Sequence, residues 1–221
     1  MLYDEKAVRE NIRNREGKRV FILGKADTLT PSARDFLNRE RIGILPPEEA
    51  KPQRWKLLSG GFCEEKPEHF THLDGDTLVP KNHTRIRFRG AIDTLEAALL
   101  LCGKETEDIL NLTRRLIRCD VLNEPVGEIT LCGLTEAQQR ERSHFPQAYY
   151  GTAHFMPDFS DSPKLLQLNH ARCAARSAEL AAVDAFTDRD GIPTRPDILQ
   201  ACNRISSMLY LLMLQEKSKK D

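Results

Sequence analysis

The sequence predicts a mainly α protein, a five-helix bundle preceded by a small α/β appendage. Three observations carry that reading. Beyond residue 84, apolar side chains recur with helical spacing, as Phe88, Ile92, Leu95 and Leu99 do. Helix-start signatures stand ahead of the later apolar runs, at Thr135 and at Thr194. Before residue 46, by contrast, the short apolar run KRVFILGK has strand character and is followed by a Thr-Pro helix start.

In chain order, Lys18 to Lys25 is the first strand. Thr30 to Ile42 is a helix with Thr at its N-cap and Pro at its first position, and Gly43 to Leu45 is a second strand. PPEEAKPQRW, Pro-rich and charged, marks a linker between about residues 45 and 60. The expected division is therefore 1–60 for the appendage and linker and 61–217 for the bundle. The first bundle helix runs from Arg85 through Cys102, with Gly103 as its C-cap. A second covers about Glu105 to Leu122 and stops before Pro125. The third starts near Thr135 with a Thr-x-x-Gln capping box and ends by Pro146. The fourth spans about Ser162 to Phe186. The fifth starts at TRPDIL, where Thr194 and Asp197 form a Thr-x-x-Asp box with Pro196 in the first turn, and continues to about Leu214. The EKSKKD tail should fray.

Composition narrows the classes of function. A chain of 221 residues with 40% hydrophobic content buries a real core. Lys plus Arg and Asp plus Glu balance at 33 each, so no net field draws the chain to nucleic acid or to an anionic membrane, and any anion site must be local. No stretch approaches the roughly 18 apolar residues that span a bilayer, and no leader pattern opens the chain, which points to the cytoplasm. The cysteines, Cys63, Cys102, Cys119, Cys132, Cys173 and Cys202, include no CxxC pair and suit reduced, buried thiols rather than disulfides or a zinc site.

Charges inside apolar helices need partners, because a buried unpaired charge is costly. In the Ala-rich run HARCAARSAELAAVDAF, Arg172, Arg176 and Glu179 fall at i, i+4, i+7 and share one stripe. Asn203, Ser207 and Tyr210 have the same spacing in the fifth helix, among Ile198, Ile205, Leu209 and Leu212. Asp93 lies midway along the first bundle helix, one turn after Arg89. A solvated helix face would account for any one of these; the surrounding alanines imply close helix approach and favour functional stripes. Upstream, Lys66, Thr71, His72 and Lys81 place ammonium and hydroxyl donors in an irregular segment able to wrap an anion, without a Walker motif.

Three segments in order carry a resemblance. THLDGDTLVPKNHTRIRFRGAIDTLEAALLL, RCAARSAE and CNRISSMLY resemble the ATP:corrinoid (cobalamin) adenosyltransferases. That family shows a loop leading to Val-Pro-Lys, an Arg and Gly-x-x-Asp-x-Leu, then an Arg-x-x-x-Arg-x-x-Glu helix, then an Asn-Arg-Leu-Ser helix. LTPSARDFL, KPEHFTHL, GLTEAQQRERSHFPQAYY and RPDILQACNRISS are similar to its ethanolamine-utilization, EutT-type branch, which is related to the propanediol-utilization, PduO-type branch. The likeness runs from about Thr30 to Leu214. Two departures stand out. Where the EutT-type branch carries a metal-binding His and Cys-Cys-x-x-Cys cluster, this chain has only Cys63, so no protein metal ligands carry over. EEKPEHF replaces the Thr-Gly-Asp-x-Gly phosphate loop of the propanediol branch.

The resemblance implies a bundle of the cobalamin adenosyltransferase type that transfers the 5′-deoxyadenosyl group of ATP to cob(I)alamin and releases triphosphate. By that likeness, Lys81, Lys66 and Arg176 with Mg²⁺ stabilise the triphosphate. Glu179 and Asn203 hold the nucleotide or its metal, and Thr71 and His72 donate to phosphate or ribose. Phe155, in AHFMPDFS, crowds the lower corrin face so that the axial ligand leaves and reduction to Co(I) becomes easier. Asp93 pairs with Arg172 across a subunit boundary, implying a homo-oligomer. A trimer is the usual family assembly, and a dimer stays open for this branch. The implied partners are a cobalamin reductase and a B12-dependent ammonia-lyase, in association with a bacterial microcompartment. A second reading rests on the altered phosphate loop: a corrinoid- or nucleotide-binding or structural microcompartment protein without turnover.

Overall fold

The structure is a computed structural model that describes residues 1–15, 17–47 and 54–219. Residues 48–53 of the expected linker lie outside the described residues. The chain divides into two compact units, Met1–Lys81 and Asn82–Asp221.

The first unit opens with β1 (Leu2–Tyr3), α1 (Glu5–Glu10), β2 (Arg13–Arg15), β3 (Lys18–Ile22), β4 (Thr28–Leu29), α2 (Pro31–Arg39) and β5 (Gly43–Leu45). The strand, helix and second strand read from the sequence are there. β5 runs parallel to β3, and β2 lies antiparallel on its other side. Thr30 caps α2, its hydroxyl accepting from the Ala33 N–H at 3.3 Å. Val8, Phe21, Ala33, Phe36, Leu37 and Ile42 form a small core of their own.

The rest of this unit corrects two expectations. β6 (Trp55–Leu57) falls inside the segment read as linker, and it joins β7 (Phe62–Cys63), β8 (Phe70–Asp74) and β9 (Thr77–Pro80) in a sheet of order β7-β6-β9-β8. The donor-bearing segment read as irregular is a hairpin: β8 and β9 pair antiparallel, with Thr71 opposite Val79 and His72 opposite Leu78. Gly75-Asp76, with Gly75 at φ 46°, makes the turn, and a bulge between His72 and Asp74 absorbs the extra residue. The buried residues Leu73, Leu78 and Val79 tie the hairpin down.

The second unit contains α3 (Thr84–Cys102), a short 3₁₀ turn, α4 (Glu107–Leu122), β10 (Thr130–Leu131), β11 (Leu134–Thr135), α5 (Glu136–His144), α6 (Pro146–Tyr150), α7 (Pro163–Phe186) and α8 (Pro196–Ser218). The helical segments expected after residue 84 are present, with ends shifted by a few residues. The unit is mainly helical, and α7 packs against both α3 and α8. Its alanines explain that position: Ala171, Ala174, Ala175, Ala178 and Ala182 are all buried and let the neighbouring helices approach closely. Phe88 meets Phe186 edge-on at 5.2 Å, which joins the start of α3 to the end of α7.

Local chemistry sets most helix ends. Gly103 ends α3 at φ 91°, Ser162 caps α7 through the Leu165 N–H, and Thr135 and Gln138 close the predicted capping box of α5. The box read at Thr194 and Asp197 does not form. The Thr194 hydroxyl donates to the Phe186 carbonyl at 3.0 Å, while Asp197 accepts from Arg195 and from the Val126 N–H at 3.0 Å. A charge-assisted pair plus a tertiary bond satisfies Asp197 better than a local cap would. Of the tail expected to fray, Glu216 to Ser218 continue α8 and Lys217 pairs with the buried Asp161 at 2.6 Å, while Lys220 and Asp221 lie outside the described residues.

The cysteines are all free; Cys102, Cys119 and Cys202 are buried as expected, whereas Cys132 and Cys173 are exposed. Among the described residues no helix is long and apolar enough to cross a membrane.

Candidate active site

The second unit brings two of the predicted stripes together. Asn203 on α8 donates from Nδ2 to Oε1 of Glu179 on α7 at 2.9 Å. The other end of the same amide, Oδ1, accepts from Arg204. Burial lowers the Arg204 pKa below its ordinary value, with Glu136 and Glu179 opposing and Arg140 adding to the fall. The Asn203 amide is thus held at both ends. Beneath it, burial pushes the Cys202 thiol up to about 12, so this cysteine is an inert packing residue.

Arg172 and Arg176 lie on the same stripe of α7. The Arg172 guanidinium is half-buried; one nitrogen donates to Asn169 Oδ1 at 3.4 Å, and its Nε is buried without a hydrogen-bond partner. Arg176 is exposed and, among the described residues, has no ion-pair partner. Asp93 on α3 is likewise exposed, with no side-chain hydrogen bond or ion pair among the described residues. The expectation that these charges sit in the interior is therefore corrected for Asp93, Arg176 and Asn203, which face solvent in a single chain.

One charge that is interior is Asp120 at the end of α4. Its side chain has no exposed surface, and it accepts from Arg85 Nε and Arg89 Nε, each at 2.7 Å. Arg85 also donates to the Asp120 main-chain oxygen at 2.6 Å. Arg89 thus belongs to Asp120 rather than to Asp93, and the start of α3 is tied to the end of α4.

The segment between α6 and α7 is strapped along α8. Phe155 is half-buried, its ring 6.2 Å from that of Tyr210, and the Lys217 ammonium stands 5.4 Å from the Phe155 ring centre. His154 Nδ1 lies 2.9 Å from the Tyr210 hydroxyl, with the two rings stacked at 5.7 Å. Phe159, by contrast, is fully exposed.

The first unit holds the other predicted donors. Lys66 is exposed just ahead of β8, and Thr71 and His72 sit on β8 itself. Burial, and after it the Lys66 ammonium, hold the His72 imidazole below its usual range, with Asp76 opposing. The Lys81 ammonium pairs with Glu68 at 3.3 Å, both groups well exposed, and its N–H donates to the His69 carbonyl at 2.9 Å. Such a solvent-screened pair gives way readily to a polyanion.

Residues 62–216 match the family model of cobalamin adenosyltransferase. This chain belongs to the cobalamin adenosyltransferase family. It is 31% identical over 243 residues to corrinoid adenosyltransferase EutT of Salmonella typhimurium, a match covering 96% of this chain and 91% of that protein. The same identity holds over 222 residues with corrinoid adenosyltransferase EutT of Escherichia coli K12, covering 86% and 83% respectively.

For a cobalamin adenosyltransferase, the sequence named Glu179 and Asn203 and the structure joins them. It also named Phe155, which the structure places beside Tyr210 and Lys217. The sequence reading missed Arg204, although it is the Arg of the quoted CNRISS segment, and it missed Asp120, whose buried place in an otherwise amphipathic helix leaves no local signal. Cys63, at the place of the branch's cysteine cluster, is half-buried on β7. Among the described residues no group of three His, Cys, Asp or Glu side chains is arranged to hold a metal ion.

Proposed function

We propose that this chain transfers the 5′-deoxyadenosyl group of ATP to cob(I)alamin in the service of ethanolamine utilization. The observation that carries the reading is the Glu179–Asn203 pair, formed between the two helices whose sequence motifs match the family in order. In the reaction, the Co(I) lone pair attacks C5′ of ATP, the C5′–O bond breaks, and triphosphate leaves with that electron pair. The barrier to such a step falls most where fixed positive charge meets the leaving polyanion. Lys81 and Lys66, with Arg176, supply that charge. Glu179 and Asn203 orient the nucleotide, and Thr71 and His72 donate to phosphate or ribose.

Mg²⁺ fits as an ion carried largely by the phosphates of the nucleotide, since Mg²⁺ commonly keeps only one or two protein carboxylates. Glu179 is the carboxylate present for it; bound there, the ion would neutralise phosphate charge. Phe155 occupies the lower corrin face, where it removes the axial ligand and eases the reduction of Co(II). On this reading α3, α4, α5, α7 and α8 make the five-helix bundle of the family, and residues 61–217 are the functional domain.

The reading includes a homo-oligomer. Asp93, exposed and without a partner among the described residues, and Arg172, with an Nε that is buried and unsatisfied among them, are the two ends of an ion pair between copies. Exposed Leu100, Leu101, Leu166, Leu180 and Val183 on α3 and α7 supply the apolar area around it. A trimer satisfies this arrangement, as a dimer would. A cytoplasmic setting with microcompartment association, a cobalamin reductase as electron source and a B12-dependent ammonia-lyase as consumer complete the proposal.

Purified protein with ATP and chemically reduced cob(I)alamin tests it. The cob(I)alamin absorbance should decay as adenosylcobalamin and triphosphate appear in equal amounts. Binding of both substrates without turnover would replace the proposal with the non-catalytic reading.

A further inference from the structure

Tyr210, a member of the α8 stripe, is not among the groups proposed to meet the nucleotide or the triphosphate. It follows Asn203 by two turns on the same helix face, and it meets the segment between α6 and α7. Its ring lies against two consecutive residues of that segment, nearly parallel to His154 at 10° and inclined to Phe155 at 27°. Its hydroxyl is 2.9 Å from His154 Nδ1.

Two turns further along α8, Lys217 bonds the buried Asp161 at 2.6 Å, and Asp161 accepts from the Asp158 N–H at 2.9 Å. The stretch from Gly151 to Ser162 has neither helix nor strand, so no backbone ladder fixes it. It is held instead against α8 by Tyr210, by Lys217 and, at its end, by Glu216, which accepts from the Ser162 hydroxyl at 3.2 Å, with Phe155 near the first two. Met156 and Phe159, its neighbours beyond the Tyr210 contact, are exposed at 84% and 107%. The contrast between one anchored aromatic and two exposed apolar residues within five positions shows where the strap acts.

We propose that Tyr210 is the positioning residue for Phe155. The hydroxyl holds the His154 side chain, and the ring lies against His154 and Phe155 together, so that the helix carrying Asn203 also sets the aromatic that meets the corrin. This rests on the reading of Phe155 as the lower-face residue. Tyr210 transfers no proton or electron; the electron for Co(II) comes from an external one-electron donor such as a reduced flavin. Losing the hydroxyl lets the 154–155 segment drift while the ring contact and the helix remain.

The test is Tyr210→Phe, with Phe155→Ala beside it. Turnover from cob(II)alamin with reduced flavin should fall about tenfold in Tyr210→Phe, while turnover from pre-reduced cob(I)alamin falls less than about twofold and the KM for ATP is unchanged. Electron paramagnetic resonance of bound cob(II)alamin with ATP should show more of the five-coordinate species, marked by nitrogen splitting from the retained axial ligand. A merely structural role would not move that signal alone. If Tyr210→Phe keeps the wild-type coordination mixture, or loses both turnovers equally with a lower Tm, the positioning role is overturned while the Phe155 reading stands on its own variant. If Phe155→Ala itself leaves the coordination mixture and both turnovers unchanged, the Phe155 reading fails and the positioning role with it.

Discussion

Replacing Asp120 with Ala removes an anion from one of the most enclosed polar sites in the second unit. The carboxylate is fully buried, and its two partners are only 22% and 17% exposed at Arg85 and Arg89. The substitution deletes the bonds at 2.7 Å and leaves two guanidinium groups facing a pocket without its carboxylate, while the Arg85 bond to the residue 120 main chain survives. Breaking a buried ion pair by removing one partner costs about 3–5 kcal/mol. The surviving main-chain bond and the partial solvent access of both arginines place the expected loss near the lower end, about 3 kcal/mol. For a chain of this size that is a fall in Tm of roughly 6–12 °C, at about 2–4 °C per kcal/mol. Urea titration followed by circular dichroism measures it, with an unchanged m-value as the sign that the same transition is observed. Combining Asp120→Leu with Arg85→Met and Arg89→Met should recover most of the loss, because the cost lies in the uncompensated charge. A loss below about 1 kcal/mol for Asp120→Ala would refute the reasoning, since that is the range of an exposed pair.

Lys81→Ala should raise the KM for ATP and lower kcat while leaving corrinoid affinity unchanged, because the proposed function sets its ammonium on the triphosphate; unaltered ATP kinetics would remove Lys81 from the site. Asp93→Ala should leave the Tm of dilute protein nearly unchanged, as the side chain has no partner among the described residues, yet shift sedimentation toward smaller species; assembly identical to wild type would exclude the proposed pair with Arg172. Arg195 and burial act oppositely on Asp197, and the hydrogen bond from Arg195 prevails, holding its carboxyl below the usual range. A depressed carboxylate pKa contributes stability that is present above the unfolded value of about 3.8 and is lost as pH falls through the folded value. Arg195→Met should therefore flatten the stability profile of the protein in that acid window and leave it parallel to wild type above about pH 5.

Legibility in the sequence followed the range of the interaction. Phe88, Ile92, Leu95 and Leu99 disclose their shared face because helical periodicity is a property of neighbours in the chain, and all are buried in the structure. The caps at Thr30, Thr135 and Ser162 were equally local, each a side chain reaching an N–H three residues on. The hairpin of β8 and β9 was legible in principle, since Gly-Asp between strand-like residues is a turn signal, but the polar side chains of Thr71 and His72 interrupt the apolar alternation that marks a strand.

The sequence by itself determined the helices, their inward faces and the family motifs, because backbone hydrogen bonds and side-chain spacing act within a few residues. Only the tertiary structure decided which polar group meets which. Asp120 is indistinguishable by sequence from Asp108 or Asp184, yet it alone of the three is buried, because the end of α4 packs where Arg85 and Arg89 project. Asp197 left its expected cap for Arg195 and Val126, and Asn203 found Glu179 across two helices, for the same reason. The energy of an ion pair or hydrogen bond depends on distance and desolvation, and both exist only once segments remote in the chain have come together.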